Sequence, residues 1–395
     1  MLRATSPSGV VVLDGTPSRC LGYEEGRSLA YNFDCMTPKS NNFDLIRLFA
    51  ALQVAVVHSV YHQGLASRHD LPMLLTRYFP GVPVFFFVSG FLIYQSFDKN
   101  PSVVDFTVNR CLRIYPALIV CFLVSMLSVI ATGYFRIAPP HWLSLVGWAI
   151  AQLSFVQFYN PDFMRHYGVG VLNGSMWTIS VELQFYVITP FLRRLMLTRN
   201  ADKRSTRLLW LALILVFMAA NRIYAAAEPT YGGSIYFKLA GVTFIPWVYM
   251  FLVGALVQQN FRFFHAMLSE RFLWMFVGYL LIAVIAEHLF GWGFGNLLNP
   301  VCFIALVFLV VAAAFSYPTL SDHLLRRNDI SYGVYIYHMP VINFVLVSGY
   351  GGSIVGFGIT MIATIVMALI SWLMVEKPAL SFKRHPLYTH AAMGQ

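Results

Sequence analysis

Residues 42–62 read NFDLIRLFAALQVAVVHSVYH, an apolar run that nevertheless carries an arginine, Arg47, and a histidine, His58. At about 100° per residue, the eleven steps between them return to within roughly 20° of the starting face of a helix, and at about 1.5 Å each they climb roughly 16 Å. One helix therefore holds a fixed cation near one membrane surface and a titratable imidazole deep toward the other. Ionisable groups inside a span are costly and turn toward a cavity or a partner, which makes both residues site candidates. The alternative is that Arg47 snorkels to the headgroups and His58 is a satisfied core histidine.

Composition sets the class. The 395 residues are 58% hydrophobic and 11% charged, with a mean hydropathy of +0.65, whereas soluble globular chains keep about a quarter of their residues charged. The expected fold is an all-α polytopic membrane protein. Its five cysteines, Cys20, Cys35, Cys111, Cys121 and Cys302, show neither metal-ligand spacing nor a disulfide framework, and no metal is expected. The pI near 9.4 fits cytoplasmic loop charges beside anionic lipid. No soluble basic patch interleaved with aromatics is present, so no nucleic-acid partner is expected.

Apolar runs of about 20 residues, long enough to cross a bilayer, fall near 43–61, 80–97, 113–133, 175–192, 208–226, 240–259, 272–289, 297–316, 331–350 and 354–375, with a further apolar stretch at 140–158. The segment from Arg193 to Arg207 also holds Arg194, Arg199, Lys203 and Arg204, and the positive-inside rule places it in the cytoplasm. That works only if 140–158 does not cross, so this stretch is read as re-entrant or lying along the outer surface. Ten spans with both termini cytoplasmic is the expected topology. Residues 1–41, polar and without a secretory signal core, read as a flexible cytoplasmic tail; 42–378 form the membrane domain and 379–395 a second cytoplasmic tail.

Several further residues are candidates for chemistry. Gly81 to Phe91, GVPVFFFVSGF, suits close helix packing. Arg110 and Arg113, in NRCLRIYP, share one face at i, i+3, at the inner mouth of the third span, with Pro116 in its first turn. With Arg47 at the same level, three guanidiniums converge where their forks suit phosphate oxygens; ordinary positive-inside anchoring is the alternative. Glu182, in SMWTISVELQFY, lies at about the depth of His58. A carboxylate that orients and charges an imidazole is an acid/base device; a structural pair with an arginine is the other reading. Trp177 and Ser180 are candidate pocket residues, although Trp177 also suits an interface anchor. In SYGVYIYHMP, Tyr335 and His338 precede Pro340, which frees a carbonyl and kinks the helix; His338 reads as lying toward the inner half, where it either binds a donor or packs. Arg222, Glu287 and His288 are explained by snorkelling, and Glu376, Lys377 and Pro378 as the end of the last span.

Taken in order, Arg47-x10-His58, GVPVFFFVSGFLI, Arg110-x2-Arg113-Ile-Tyr-Pro, Ser175-Met-Trp-Thr-Ile-Ser-Val-Glu182-x2-Phe-Tyr, Tyr335-Ile-Tyr-His338-x-Pro and Glu376-Lys-Pro resemble the acyltransferase-3 family, the OafA-like group of integral membrane O-acyltransferases. The resemblance runs from Asn42 to about Arg384. It implies transfer of an acyl group, usually acetyl, from cytoplasmic acyl-CoA to a hydroxyl of an extracytoplasmic glycan or lipid-linked glycan, in the bacterial inner membrane. It assigns function to His58, Arg47, Arg110, Arg113 and Glu182. Some members carry an SGNH domain after an eleventh span; none is expected here.

The two readings combine. CoA phosphates sit among the inner arginines, the pantetheine arm reaches up to His58, and His58 acts as general base on the acceptor hydroxyl or forms an acyl-histidine. Acceptors of small-molecule type and acyl groups other than acetyl also occur in the family. A secondary transporter would show inverted repeats with broken helices in matching halves, and the sequence has no such symmetry.

Overall fold

The computed structural model of the protein describes residues 41–65, 76–197 and 203–383. The tail up to residue 40, with Cys20 and Cys35, lies outside the described residues, as do Arg199 and the C-terminal residues from 384. Within them the chain is helical and no strand occurs. In chain order the principal helices are α1 (Phe43–His62), α2 (Gly81–Lys99), α3 (Val103–Ala131), α4 (Trp142–Gln152), α5 (Trp177–Leu197), α6 (Lys203–Tyr231), α7 (Val248–Gln259), α8 (Phe272–Phe290), α9 (Pro300–Phe315), α10 (Ser331–Val347) and α11 (Ile354–Ser371). The last continues through a π-helical turn at Trp372–Glu376 into Lys377–Leu380. The helices α1, α2, α3, α6, α8 and α11 are each long and apolar enough to cross a membrane, and α4, α7, α9 and α10 are shorter apolar helices. The protein is a polytopic membrane protein.

A helix occupies each of the ten predicted stretches, with corrections to their limits. The third starts ten residues early, at Val103, because Ser102 caps it by accepting from the Asp105 amide at 3.2 Å. Arg110 and Arg113 therefore lie two to three turns inside the helix rather than at its mouth. Pro116 sits in its interior, not in the first turn. The sixth stretch is broken: a short helix at Ile235–Gly241 precedes α7, whose 12 residues rise only about 18 Å. The stretch at 140–158 forms the 11-residue α4 and then turns; about 16 Å of helix cannot cross about 30 Å of hydrocarbon. Trp148 and Gln152 are buried against the protein while Trp142, Leu143, Val146 and Ile150 are exposed.

Small residues set the tightest packing. A Cβ on Gly90 would strike the Phe251 carbonyl, and one on Gly254 the Phe87 carbonyl, so α2 and α7 touch backbone to backbone. α10 is the core helix, with Tyr332 to Pro340 buried throughout. Pro340 lacks the N–H that would serve the Ile336 carbonyl, and Asn173 Nδ2 takes that carbonyl at 2.8 Å. Asn343, three residues beyond Pro340, donates to the Val171 and Leu172 carbonyls at 2.8 and 2.9 Å. The loop before α5 is thereby stitched to the kinked helix.

Three side chains read as snorkelling or terminal residues have partners instead. Arg222 donates to the Leu297 and Leu298 carbonyls at 2.7 and 3.2 Å. Glu287 takes the Tyr78 hydroxyl and pairs with Arg77, clasping the chain before α2 to α8. Glu376 is buried beside Arg113.

Candidate active site

α1 and α10 run side by side in the same direction, as two contacts show. Arg47 Nη1 meets Asp329 Oδ2 at 2.5 Å, and eleven residues further along α1, His58 Nδ1 meets His338 Nε2 at 2.9 Å. From Asp329, two residues before α10, to His338 on it the corresponding step is nine residues. Both steps correspond to roughly 14–16 Å of rise, so the charged pair and the histidine pair lie at two levels of one helix pair.

At the charged level, Asp329 also pairs with Arg113 of α3. It accepts from the Ser331 amide at 3.1 Å and the Ser331 hydroxyl at 2.5 Å, an Asp-to-i+2 contact that leads the chain into α10. Burial pushes this carboxyl up, but Arg47, Arg113 and the two Ser331 bonds outweigh it and hold it far below the usual range. Arg113 Nη1 lies 3.8 Å from Glu376 Oε2, and Ser371 donates to Glu376 Oε1 at 3.2 Å. Four helices thus meet on one guanidinium–carboxylate cluster. Lys383 stands at its edge: burial first, then Arg113, Arg110 and Arg47, push its ammonium down to about 8.

Arg110 is engaged differently. It donates to Ser96 Oγ at 2.8 Å and lies over the rings of Phe106 and Tyr186. Its Nε is enclosed and without a partner among the described residues. It lines a largely apolar groove of about 710 Å³, with Arg193 and Arg194 beside it. Arg193 is paired with Asp98 at 2.9 Å.

Between the levels lies a cavity of about 30 Å³ lined by Arg47, Ser89, Thr178, Glu182, Tyr332 and Tyr335, room for a water or two. Glu182 accepts from Tyr186 Oη at 2.7 Å. The anticipated Glu182–His58 hydrogen bond is not formed: Glu182 shares its cavity with Arg47, and the partner of His58 is His338. His338, read from the sequence as lying toward the inner half, stands level with His58 rather than with Arg47. It is wholly buried, with the Tyr335 ring 5.8 Å away, and Tyr335 Oη is held by Thr178 Oγ1 at 2.6 Å. His62 lies one turn beyond His58, ring centroids 5.9 Å apart. Trp177 packs on Trp247 at 5.1 Å. Ser180 is buried with its hydroxyl 3.5 Å from the Met176 carbonyl. Neither residue lines this cavity.

Asp329 and Lys383 are not among the site candidates read from the sequence, and Glu376 is read there only as a family motif residue at the end of the last span. Asp329 had a legible signal: with 17 acidic residues in 395, a carboxylate two residues before an apolar helix that contains a histidine is a candidate partner for an intramembrane arginine.

Comparison with known proteins adds the family. The acyltransferase domain of the acyltransferase-3 family matches residues 40–376. Nodulation protein 10 of Rhizobium leguminosarum bv. viciae is 30% identical over 355 residues, 87% of this chain and 94% of its own length. An O-acetyl transferase of Shigella phage Sf6 is 28% identical, covering 86% of this chain and 96% of its own. The exopolysaccharide production protein ExoZ of Rhizobium meliloti is 25% identical, covering 80% and 93%. No solved structure matches the chain. Two arginines and a carboxylate at one level, two histidines at the other, and a family match over most of the length make this chain a member of the acyltransferase-3 family of membrane O-acyltransferases.

Proposed function

We propose that the protein moves an acetyl group from cytoplasmic acetyl-CoA to a hydroxyl of an extracytoplasmic polysaccharide, with ten spans, both termini cytoplasmic and α4 on the outer side of the bacterial inner membrane. The observation that carries this reading is the separation of the arginine level from the histidine level on one helix pair. Acyl transfer across a membrane needs a place for a cytosolic phosphorylated donor and, well above it, a base for the acceptor. Two relatives, an O-acetyl transferase and an exopolysaccharide production protein, support the same chemistry.

In this reading Arg110 makes the direct contact with donor phosphate, helped by Arg194 and Lys383, because its guanidinium has no carboxylate partner among the described residues and faces a groove. Arg47 and Arg113, already paired with Asp329, shape that end and add charge. The pantetheine arm passes through the cavity between the levels. At about 30 Å³ that cavity admits the arm only when Tyr332 and Tyr335 move aside, which also keeps water from the thioester. His58 takes the acceptor proton. Glu182 lies along the path of the arm.

Mass spectrometry of surface polysaccharide from cells with and without the protein tests the reading. Loss of an acetyl mass on deletion, restored by the wild-type gene and not by His58→Ala, is expected. Identical glycans and identical acetyl content in the two strains would overturn it.

A further inference from the structure

A hydrogen bond between two imidazoles has a direction, and the surroundings of His338 fix it. A neutral imidazole carries one N–H and one lone pair. His58 Nδ1 and His338 Nε2 are 2.9 Å apart, so one donates and the other accepts. On the far side of its ring, His338 Nδ1 is enclosed and closes no hydrogen bond of full geometry among the described residues. A helical side chain leans back over the turn before it, and for His338 that turn carries the carbonyl oxygens of Val334 and Tyr335. A lone pair aimed at carbonyl oxygens is repelled, whereas an N–H is attracted, and such a contact commonly decides which nitrogen carries the proton. The proton of His338 therefore belongs on Nδ1. Its Nε2 is the acceptor, His58 Nδ1–H is the donor, and the lone pair of His58 stands on Nε2.

We propose that His338 is the positioning residue that locks His58 in the Nδ1–H tautomer and aims Nε2 at the acceptor hydroxyl, an assignment whose catalytic part rests on the acetyl-transfer reading above. The step balances without a further reactant. His58 Nε2 takes the hydroxyl proton as the hydroxyl oxygen forms the ester bond to the acyl carbon. The C–S bond breaks, and the departing thiolate recovers that proton from Nε2. His338 gains and loses nothing; it holds the ring. The lock is stiff because His338 is wholly buried on the core helix α10. The other ring near His58, that of His62, lies edge-on.

Two measurements test this. Ring-¹⁵N-histidine NMR of the full-length protein in nanodiscs at neutral pH, with the His58→Ala spectrum subtracted, reads the tautomer without any turnover. A protonated Nδ1 and a bare Nε2 on His58 are expected; the reverse overturns the assignment, whatever the protein acylates. The second compares His338→Gln and His338→Met, side chains of equal length of which only Gln offers an acceptor oxygen. Transfer of radiolabelled acetyl from acetyl-CoA to polysaccharide in membrane vesicles is followed. His338→Met is expected to lower kcat on the order of a hundredfold at unchanged KM for acetyl-CoA, with His338→Gln restoring most of it. Equal kcat in the two variants overturns the positioning role. No transfer by the wild type would sink the acetyl-transfer reading instead, and the NMR result still decides the tautomer.

Discussion

Arg47 and His58 stand on one helix, eleven residues apart; Arg47 meets Asp329, two residues before α10, and His58 meets His338 on it, yet the two contacts differ in kind. The lower one joins full charges from α1, α3 and α10 around Asp329, with Glu376 of the last helix beside them. The upper one is a single hydrogen bond between two rings with no carboxylate attached. Taking one charge out of the lower cluster leaves others buried and unpaired, which is a stability loss. Taking one ring out of the upper pair leaves one neutral ring nitrogen unserved, about 1–3 kcal/mol and less than a bare buried charge, so on the proposed reading more of the loss falls on chemistry. On the proposed reading, the same helix pair is braced at one end and reactive at the other.

That contrast breaks most sharply at His58. His58→Ala is expected to lower acetyl transfer by about a thousandfold or more, the upper part of what a positioned base supplies, while acetyl-CoA affinity by calorimetry in detergent changes by less than about threefold. A variant that lost donor binding as well would place the donor phosphates at the histidine level and reverse the arrangement.

Asp329 gives the opposite signature. Asp329→Ala leaves Arg47 and Arg113 facing each other; their side chains are only 21% and 13% exposed. Breaking a buried pair in this way costs about 3–5 kcal/mol, so a marked fall in Tm and in the yield of inserted protein is expected. Asp329→Asn, which still accepts from Ser331, should lie between. An Asp329→Ala protein as stable as the wild type, but weaker for acetyl-CoA, would make the lower cluster a binding site and not a brace.

These residues also show what the sequence could convey. The Arg47–His58 spacing is legible because helix geometry alone fixes the face and rise between them. The family resemblance is legible because six motifs keep their order along the chain. The partners were not legible: Asp329 lies 282 positions from Arg47 and His338 lies 280 from His58, and nothing local says which of several polar residues will meet. Depth judged on separate helices brought Glu182 to His58 and put His338 below it, because a rise per residue carries no tilt or offset between neighbours. The start of α3 was missed for another reason. Hydropathy reports the bilayer and not the helix, and the turns from Val103 to Arg110, where Asp105, Thr107, Asn109 and Arg110 interrupt the apolar residues, are helical without forming an unbroken apolar run.

A smaller effect separates the three arginines. Arg110→Ala removes a guanidinium bonded to a serine and facing a groove, so it should weaken acetyl-CoA by about ten- to a hundredfold through one charge-assisted contact, with Tm and kcat little changed. Lysine should restore part of the affinity, since it keeps charge without the fork. Arg113→Ala should instead resemble Asp329→Ala in stability. If calorimetry finds the two arginine variants equally weak for donor and equally stable, the division between a binding arginine and a bracing arginine fails.

The least effect, and the one that tests how the upper pair is held, is at Asn173. Pro340 leaves the Ile336 carbonyl without its helical donor, and Asn173 supplies one at 2.8 Å. That carbonyl lies two residues before His338, so the bond supports the backbone carrying the ring. Asn173→Ala should cost about 1 kcal/mol, seen as a modest drop in Tm, because the Cys121 thiol, 3.3 Å from the same carbonyl, still serves it weakly. Pro340→Ala would return an N–H to the same carbonyl. The double variant should then be more stable than the sum of the single changes, because both act on one oxygen; a cycle of this kind isolates that coupling. Acetyl transfer supplies the second reading. If the double variant regains stability but not kcat, the kink itself aims His338; if it regains both, Asn173 and Pro340 serve only to satisfy the carbonyl. Strict additivity of the two changes in Tm would show that Asn173 does not act through Ile336 at all.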